Sequence, residues 1–279
     1  NKYPNAFFKL NANFYKAECD FKHGLFDAAL VGYQFVTGQS KNSFTEKALI
    51  KSAFINFKKE NYNDALTAYV KLEELAEVPA NIMEARIGQM RCDFKIKQYE
   101  PAIAAAKKVI AMEKTPNEIL HESHLIIAKS YMAVGNDSLA MDEFKVTTNL
   151  TKSEIGAEAK YNIAVLQYKK GDYTASEKTI DEIIKQVPSY DYWIAKSFIL
   201  WADNYVALKD NFQAKATLQS IIDNADNPEL IKEAKEKLDA INKAEADAEA
   251  ARKPELIEIP FEESKLENMQ LFNDTLNKQ

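Results

Sequence analysis

The 279-residue chain has two cysteines, three histidines, seven glycines and eight prolines. Two cysteines make no disulfide framework. So few turn formers do not suit an all-β protein with many hairpins, and they exclude a collagen-like chain or a Pro/Gly-rich linker array. No apolar run is longer than that from Phe198 to Ala202, far short of a membrane span. There is no His-Glu-x-x-His motif, no Gly-rich phosphate loop and no Gly-x-Ser-x-Gly elbow. No histidine is placed for an evident triad, so the expectation is a protein that is not an enzyme and needs no cofactor. A formal net charge of −6 argues against a general nucleic-acid binder. The chain opens Asn1-Lys2-Tyr3-Pro4 without an initiator Met or a signal peptide. That start is expected of a trimmed or mature product, whose lost segment would carry any address or lipid anchor.

What is present is helical and repeated. Apolar residues make up 46% of the chain, enough for most of it to fold. Six segments share a spaced pattern whose aromatic slot holds Phe26, Tyr62, Tyr99, Asp137, Tyr173 and Phe212, at intervals of 36, 37, 38, 36 and 39. Three residues later stand Ala29, Ala65, Ala102, Ala140, Ser176 and Lys215. Nine residues before the slot stand Ala17, Ala53, Met90, Ala128, Ala164 and Asp203. A small residue lets two helices approach closely, and an aromatic at the start of the second helix fills the corner between them. Turn-forming or capping residues precede that helix, as in Gly171-Asp172 and Asp210-Asn211. Pro79, Pro116, Pro188 and Pro228 punctuate the later connections. One hairpin cannot bury its apolar face alone, so the pattern predicts a stack.

The segment Lys170-Gly171-Asp172-Tyr173-Thr174-Ala175-Ser176 resembles the Gly-Asp/Asn-Tyr corner of the tetratricopeptide repeat (TPR) family. Asn61-Tyr62-Asn63-Asp64-Ala65 and Gln98-Tyr99-Glu100-Pro101-Ala102 are partial matches. The resemblance runs from about residue 10 to 228, with periods longer than the family's usual length of about 34 residues. It implies an all-α fold, a right-handed α-α superhelix, most like bacterial envelope-associated TPR proteins. It also implies a periplasmic or outer-membrane-associated setting rather than a cytoplasmic one. The expected organisation is six hairpins over 1–228, a capping or extension helix over 229–253, and an acidic-hydrophobic tail over 254–279. With Asp203 and Lys215 at small slots, the sixth hairpin reads as a degenerate cap. Cys19 and Cys92 hold equivalent positions two repeats apart, roughly 20 Å, so they should not bond to one another. Both read as small buried hydrophobes.

From Glu229 to Lys253 the chain is rich in Ala, Glu and Lys, with Ile231, Ala234, Leu238 and Ile241 as an apolar stripe. The tail holds six acids (Glu255, Glu258, Glu262, Glu263, Glu267, Asp274) and two lysines (Lys265, Lys278), a net charge of −4. It also carries Leu256, Ile257, Ile259 and Phe261, then Leu266, Met269, Leu271, Phe272 and Leu276. Such a segment docks on its own solenoid, docks on a partner or second copy, or stays undocked.

The resemblance implies a peptide groove on the inner face of the first helices. Four residues before the aromatic slots lie Lys22, Lys58, Lys95 and Lys169, and one turn earlier lie Phe54, Arg91, Lys129 and Asn204. Lys22, Lys58, Arg91, Lys95, Lys129 and Lys169 form a candidate basic stripe, suited to an acidic peptide or a C-terminal carboxylate. The competing reading is that lysines at helix ends answer the helix dipole. Phe54 and Tyr161 are candidate aromatic anchors, or ordinary packing residues. Asn is missing from most inner positions, so the Lys/Asn carboxylate clamp of chaperone-binding TPR proteins is not matched. His121 and His124 are three apart with Glu118 a turn earlier, but a third metal ligand is missing, so no metal is expected. The function expected is a non-enzymatic scaffold that binds a peptide or helical segment of a protein partner, an acidic one by charge, in bacterial envelope assembly. The alternative is a structural or oligomerisation module, self-associating through the C-terminal region with the groove occupied by its own tail. No nucleic acid and no membrane-spanning segment enter either reading.

Overall fold

The computed structural model describes residues 8–252, in which the chain forms thirteen α-helices and no strand. In order they are α1 (Lys9–Lys22), α2 (Phe26–Thr37), α3 (Thr45–Lys58), α4 (Tyr62–Leu75), α5 (Pro79–Lys95), α6 (Tyr99–Ile110) and α7 (Asn117–Ala133). Then follow α8 (Asp137–Leu150), α9 (Glu154–Lys169), α10 (Tyr173–Ile184), α11 (Asp191–Ala207), α12 (Asn211–Asn224) and α13 (Pro228–Arg252). Each helix packs on its chain neighbours. From α3 onward each odd-numbered helix also meets the next odd-numbered one. The closer spacing within the odd layer makes it the inner side of a curved stack. No described helix is long and apolar enough to cross a membrane. The readings made for the tail over 254–279 lie outside the described residues.

Six turns of one design close the hairpins. Gly24, Glu60, Lys97, Gly135, Gly171 and Lys209 all take left-handed φ values, between 61° and 82°. The next backbone N–H in each case donates to the carbonyl five residues back, as in Leu25 to Asp20 and Asp210 to Tyr205, both 2.8 Å. This is the Schellman arrangement, which satisfies the carbonyls a helix end leaves open. Asn136, Asp172 and Asp210 then cap the following helix by accepting from the N–H three residues on, at 3.1–3.3 Å. Pro79 and Pro228 stand first in α5 and α13, where a missing N–H costs nothing.

These turns correct the register of the sixth hairpin. The left-handed residue lies two before the first residue of the second helix in every hairpin, and in the sixth that residue is Asn211, not Phe212. Phe212 is 77% exposed. Counted from Asn211, the small slots hold Ala202 and Ala214, both buried, so Asp203 and Lys215 do not occupy them. The hairpin keeps the close helix contact that all the others have, at Ala17, Ala53, Met90, Ala128 and Ala164 on the first helices. The second helices bury Ala29, Ala65, Ala102, Ala140, Ser176 and Ala214 opposite them. Ring pairs brace the corner in four hairpins: Phe21–Phe26, Phe57–Tyr62, Phe94–Tyr99 and Tyr168–Tyr173, with centroids 5.2–6.1 Å apart. The fourth has Asp137 at this place and the sixth has Asn211.

The cysteine expectation divides. Cys92 is buried, and burial pushes its thiol up to about 12. Cys19 is exposed. The residues equivalent to both, seven before the corner, are Ile55, Ser130, Leu166 and Asn204, all buried. That position faces the preceding hairpin, as the Asn204 bond to Ser176 on α10 shows, and α1 has no preceding hairpin among the described residues. Helix α13 packs mainly on α12, burying Leu230, Ala234 and Ile241. Its run from Ala244 to Ala251 is helical and exposed apart from Glu245.

Candidate functional site: the inner face

Two rows of side chains on the odd helices meet across the inner face. One row lies eight residues before each corner and holds Glu18, Phe54, Arg91, Lys129, Val165 and Asp203. The other lies fifteen before and holds Asn11, Lys47, Glu84, Glu122, Glu158 and Lys196. The first row of one helix reaches the second row of the next. Lys47 pairs with Glu18 at 2.7 Å, and Lys129 with Glu158 at 2.6 Å. Arg91 grips Glu122 with two bonds of 2.8 and 2.6 Å, the bidentate geometry that a guanidinium favours. At the C-terminal end Lys196 pairs with Glu233, and Lys237 bonds both oxygens of Asp203 at 2.7 and 2.9 Å. These two pairs run in the same order along both helices, so α13 lies parallel to α11.

The electrostatics follow from this ladder. Burial pushes the Glu18 carboxyl up, but bonds from Lys47 and from the Tyr33 hydroxyl at 2.7 Å outweigh it and hold it below the usual range. The hydrogen bond to Glu122 holds the Arg91 guanidinium more firmly protonated. Asp203 keeps a raised carboxyl because burial outweighs Lys237. Arg91 and Lys129 are therefore structural cations whose charge is answered across the inter-repeat seam, and Lys129 also lies over the Phe94 ring at 5.4 Å. The stripe expected from sequence counts the cations of the helix ends together with those one turn earlier, and overlooks the carboxylates of the next repeat that answer Arg91 and Lys129.

The other predicted residues separate cleanly. Lys22, Lys58, Lys95 and Lys169 are the last residues of α1, α3, α5 and α9, and all are exposed. Lys58 lies over the Phe26 ring at 4.9 Å. Lys22, Lys95 and Lys169 have no ion pair or hydrogen bond among the described residues. Phe54 is 47% exposed and meets Phe21 edge-on at 5.8 Å, with Lys51 over the Phe21 ring at 4.2 Å. It takes the place of a charge in the ladder, so the seam between α3 and α5 has no rung there. Tyr161 is half-buried against Trp193 at 5.5 Å, a packing residue whose phenol burial raises. Asn204 is not in the groove. It is fully buried and donates to Ser176 Oγ at 3.0 Å, while its own Oδ1 has no partner. The shifted corner explains this: the inner-face residue of α11 is Asp203.

His124 Nδ1 meets Glu143 at 2.8 Å, a contact between α7 and α8. No cluster of three metal-ligating side chains occurs among the described residues. A cavity of about 340 Å³ between α11, α12 and α13 is lined by Tyr192, Phe198, Ile221 and Leu230. It opens by the starts of α11 and α13, the edge opposite the lysines.

A tetratricopeptide-repeat family model matches residues 158–190, most of α9 and α10. PilF of Pseudomonas aeruginosa has a similar fold, with a TM-score of 0.55 at 13% identity, covering 82% of this chain and 97% of its own. A tetratricopeptide-repeat protein of Parabacteroides merdae aligns with a TM-score of 0.50 at 16% identity, covering 86% of this chain and 87% of its own. The fold is that of a TPR solenoid. The TPR protein YrrB, described as having an unusual peptide-binding site, covers 70% of this chain and 98% of its own at 17% identity and a TM-score of 0.50. At these identities the likeness is one of fold. No curated protein matches the sequence. The stretch the family model matches contains the fifth hairpin's turn, which combines a left-handed Gly171, a capping Asp172 and a corner Tyr173.

Proposed function

We propose that this TPR solenoid is a non-enzymatic scaffold that binds an acidic, extended segment of a protein partner along the lysine edge of its inner face. The observation that carries this reading is a contrast within one face. Most inner charges are paired across the seams, whereas Lys22, Lys95 and Lys169 at the helix ends are not, among the described residues. Helix dipoles account for a lysine at each end, but not for the exposed Phe54, which shares α3 with Lys51 and Lys58 and meets the Phe21 ring that Lys51 covers. An exposed aromatic with a lysine about one helical turn to either side suits a segment that alternates acidic and large apolar residues. Likeness to a fold that includes a peptide-binding member supports the mode of binding. A bacterial envelope setting is taken from the repeat resemblance alone.

The test is fluorescence anisotropy of the full chain with a labelled peptide of repeated Glu-Glu-Phe, against a Lys-Lys-Phe control. Saturable binding of the acidic peptide only is expected, weakened about tenfold by K58E with K95E, with a steep salt dependence. Equal binding of both peptides, or no response to the lysine changes, sinks the reading.

A further inference from the structure

We infer that the acidic tail, residues 254–279, is itself a ligand of the lysine edge, lying in the same chain's groove where a partner segment would lie. This rests on the proposed binding face and adds its occupant.

Three observations carry it. The first is where the described chain ends. Helix α13 is parallel to α11 but longer, 25 residues against 17. Its Glu245 accepts from Asn211 Nδ2 at 2.9 Å and from Lys215 at 2.6 Å, at the corner of the sixth hairpin. The corner edge is where Lys22, Lys58, Lys95 and Lys169 end their own helices. So the chain leaves the solenoid on the side where the unpaired cations stand. The second is charge. The tail has a net charge of −4 within an acidic protein, and at the edge it leaves by four of the inner helices end in lysine, whereas the exposed acids of that edge, such as Asp64, Glu100 and Asp172, stand at the starts of the even helices. The third is reach. Twenty-six extended residues span about 86 Å at ~3.3 Å each, and the stack from α13 back to the first hairpin measures about 60 Å at ~10 Å per repeat. Glu262 and Glu263 come within range of Lys169 early in that path. Phe272 and Asp274 are far enough along to meet Phe54 and Lys58. Apolar and acidic residues interleave in the tail as the face requires.

The experiment is zero-length carbodiimide coupling of the intact chain, which joins lysine amines to carboxylates in direct contact, read by mass spectrometry. The expected products join tail carboxylates to Lys22, Lys58, Lys95 and Lys169. In a mixture of ¹⁵N-labelled and unlabelled chains they should join residues of the same copy. Coupling of the tail mainly to lysines of α13 or of the even helices, coupling between copies, or no coupling overturns the inference. A second variant replaces the six tail acids by Gln and Asn and leaves the folded body intact. It should bind the Glu-Glu-Phe peptide about tenfold more tightly than the parent chain, since an internal competitor is removed. If it binds the peptide at the lysine edge no more tightly than the parent, the tail inference fails and the scaffold reading stands. If the coupling succeeds but neither chain binds the peptide, the scaffold reading fails and the tail contact stands.

Discussion

Replacing Gly88 by alanine is the most demanding test of the packing. Gly88 lies in α5 and faces α4. A Cβ built there meets Cε2, Cδ2 and Cζ of Tyr69 at 2.3–2.4 Å. Carbon atoms rest at about 3.5–4.0 Å, so one methyl asks the ring to retreat by more than about 1 Å. The ring has nowhere to go. Tyr69 is 5% exposed and sits among Leu49, Ala53, Leu72, Ala85 and Cys92. Either the helices part or the ring turns outward and loses its burial. Overpacking a filled core costs about 1–3 kcal/mol and expelling an aromatic about 3–5, so G88A should cost on the order of 3 kcal/mol. The gain in helix propensity, about 1 kcal/mol, offsets only part. The assay is urea unfolding followed by circular dichroism, with hydrogen exchange to place the loss, because a repeat protein unfolds by neighbouring units. Protection should fall first in α4 and α5. In the G88A/Y69V double variant the smaller side chain should recover at least 1 kcal/mol relative to the sum of the single changes, a coupling only a direct contact produces. A cost for G88A below about 0.5 kcal/mol, or additive behaviour in the pair, would refute the contact.

Glu60, Lys97 and Lys209 hold left-handed backbone that glycine adopts freely, so each change to glycine should stabilise the chain by about 1 kcal/mol in urea unfolding. Gly135→Ala should lose a similar amount. Asp93 is 6% exposed, and burial raises its carboxyl from the usual 3.8 to about 6. The native state thus binds the proton more tightly than the unfolded chain. The side chain costs no stability well below the unfolded value of 3.8, and its penalty grows as pH rises from there through 6, levelling off above it at about 3 kcal/mol; Asp93→Asn should flatten that slope in a pH series of melts. Ellman's reagent should titrate Cys19 promptly and Cys92 only on unfolding, and two fast thiols in the native protein would contradict the burial. For the sixth hairpin, Phe212→Ser should change stability by less than about 0.5 kcal/mol, whereas Ala214→Leu should cost about 1–3; the reverse order would restore Phe212 as the corner.

The fold was legible where a steric requirement recurs. Alanine at 17, 53, 128 and 164 marks closely packed helix contacts, a slot that Met90 fills in the third hairpin, and the interval between them sets the repeat. The sixth hairpin misled because Phe212 is the nearest aromatic to the expected slot, and the aromatic is the dispensable part of the corner. Four hairpins use a ring pair and two do without, whereas all six keep the left-handed residue and a buried small side chain on the second helix, paired in five of them with an alanine on the first. Glycine marks that left-handed position only at 24, 135 and 171. A Glu and two Lys stand at the other three, where composition does not announce the turn.

The candidate site was half legible for an electrostatic reason. A position counted along one helix reveals which cations share a face, but not which carboxylates lie a helix away. Arg91 and Lys22 look alike in such a count. Arg91 sits one turn inside its helix end, where the next inner helix approaches and supplies Glu122; Lys22 is the last residue of its helix and has no ion pair among the described residues. Ion pairs at the seams are half-exposed and contribute little stability each, about 0–1 kcal/mol. Their larger consequence is to discharge the middle of the inner face. On the proposed reading, what then remains for a ligand is the edge row and the one ladder position that carries a ring, Phe54. A solenoid with uniformly positive inner helices would attract any polyanion. On the proposed reading, with most of its central charges paired, this one would confine attraction to one edge and ask a ligand to place an apolar side chain at Phe54, so recognition would depend on spacing along an extended segment rather than on charge alone.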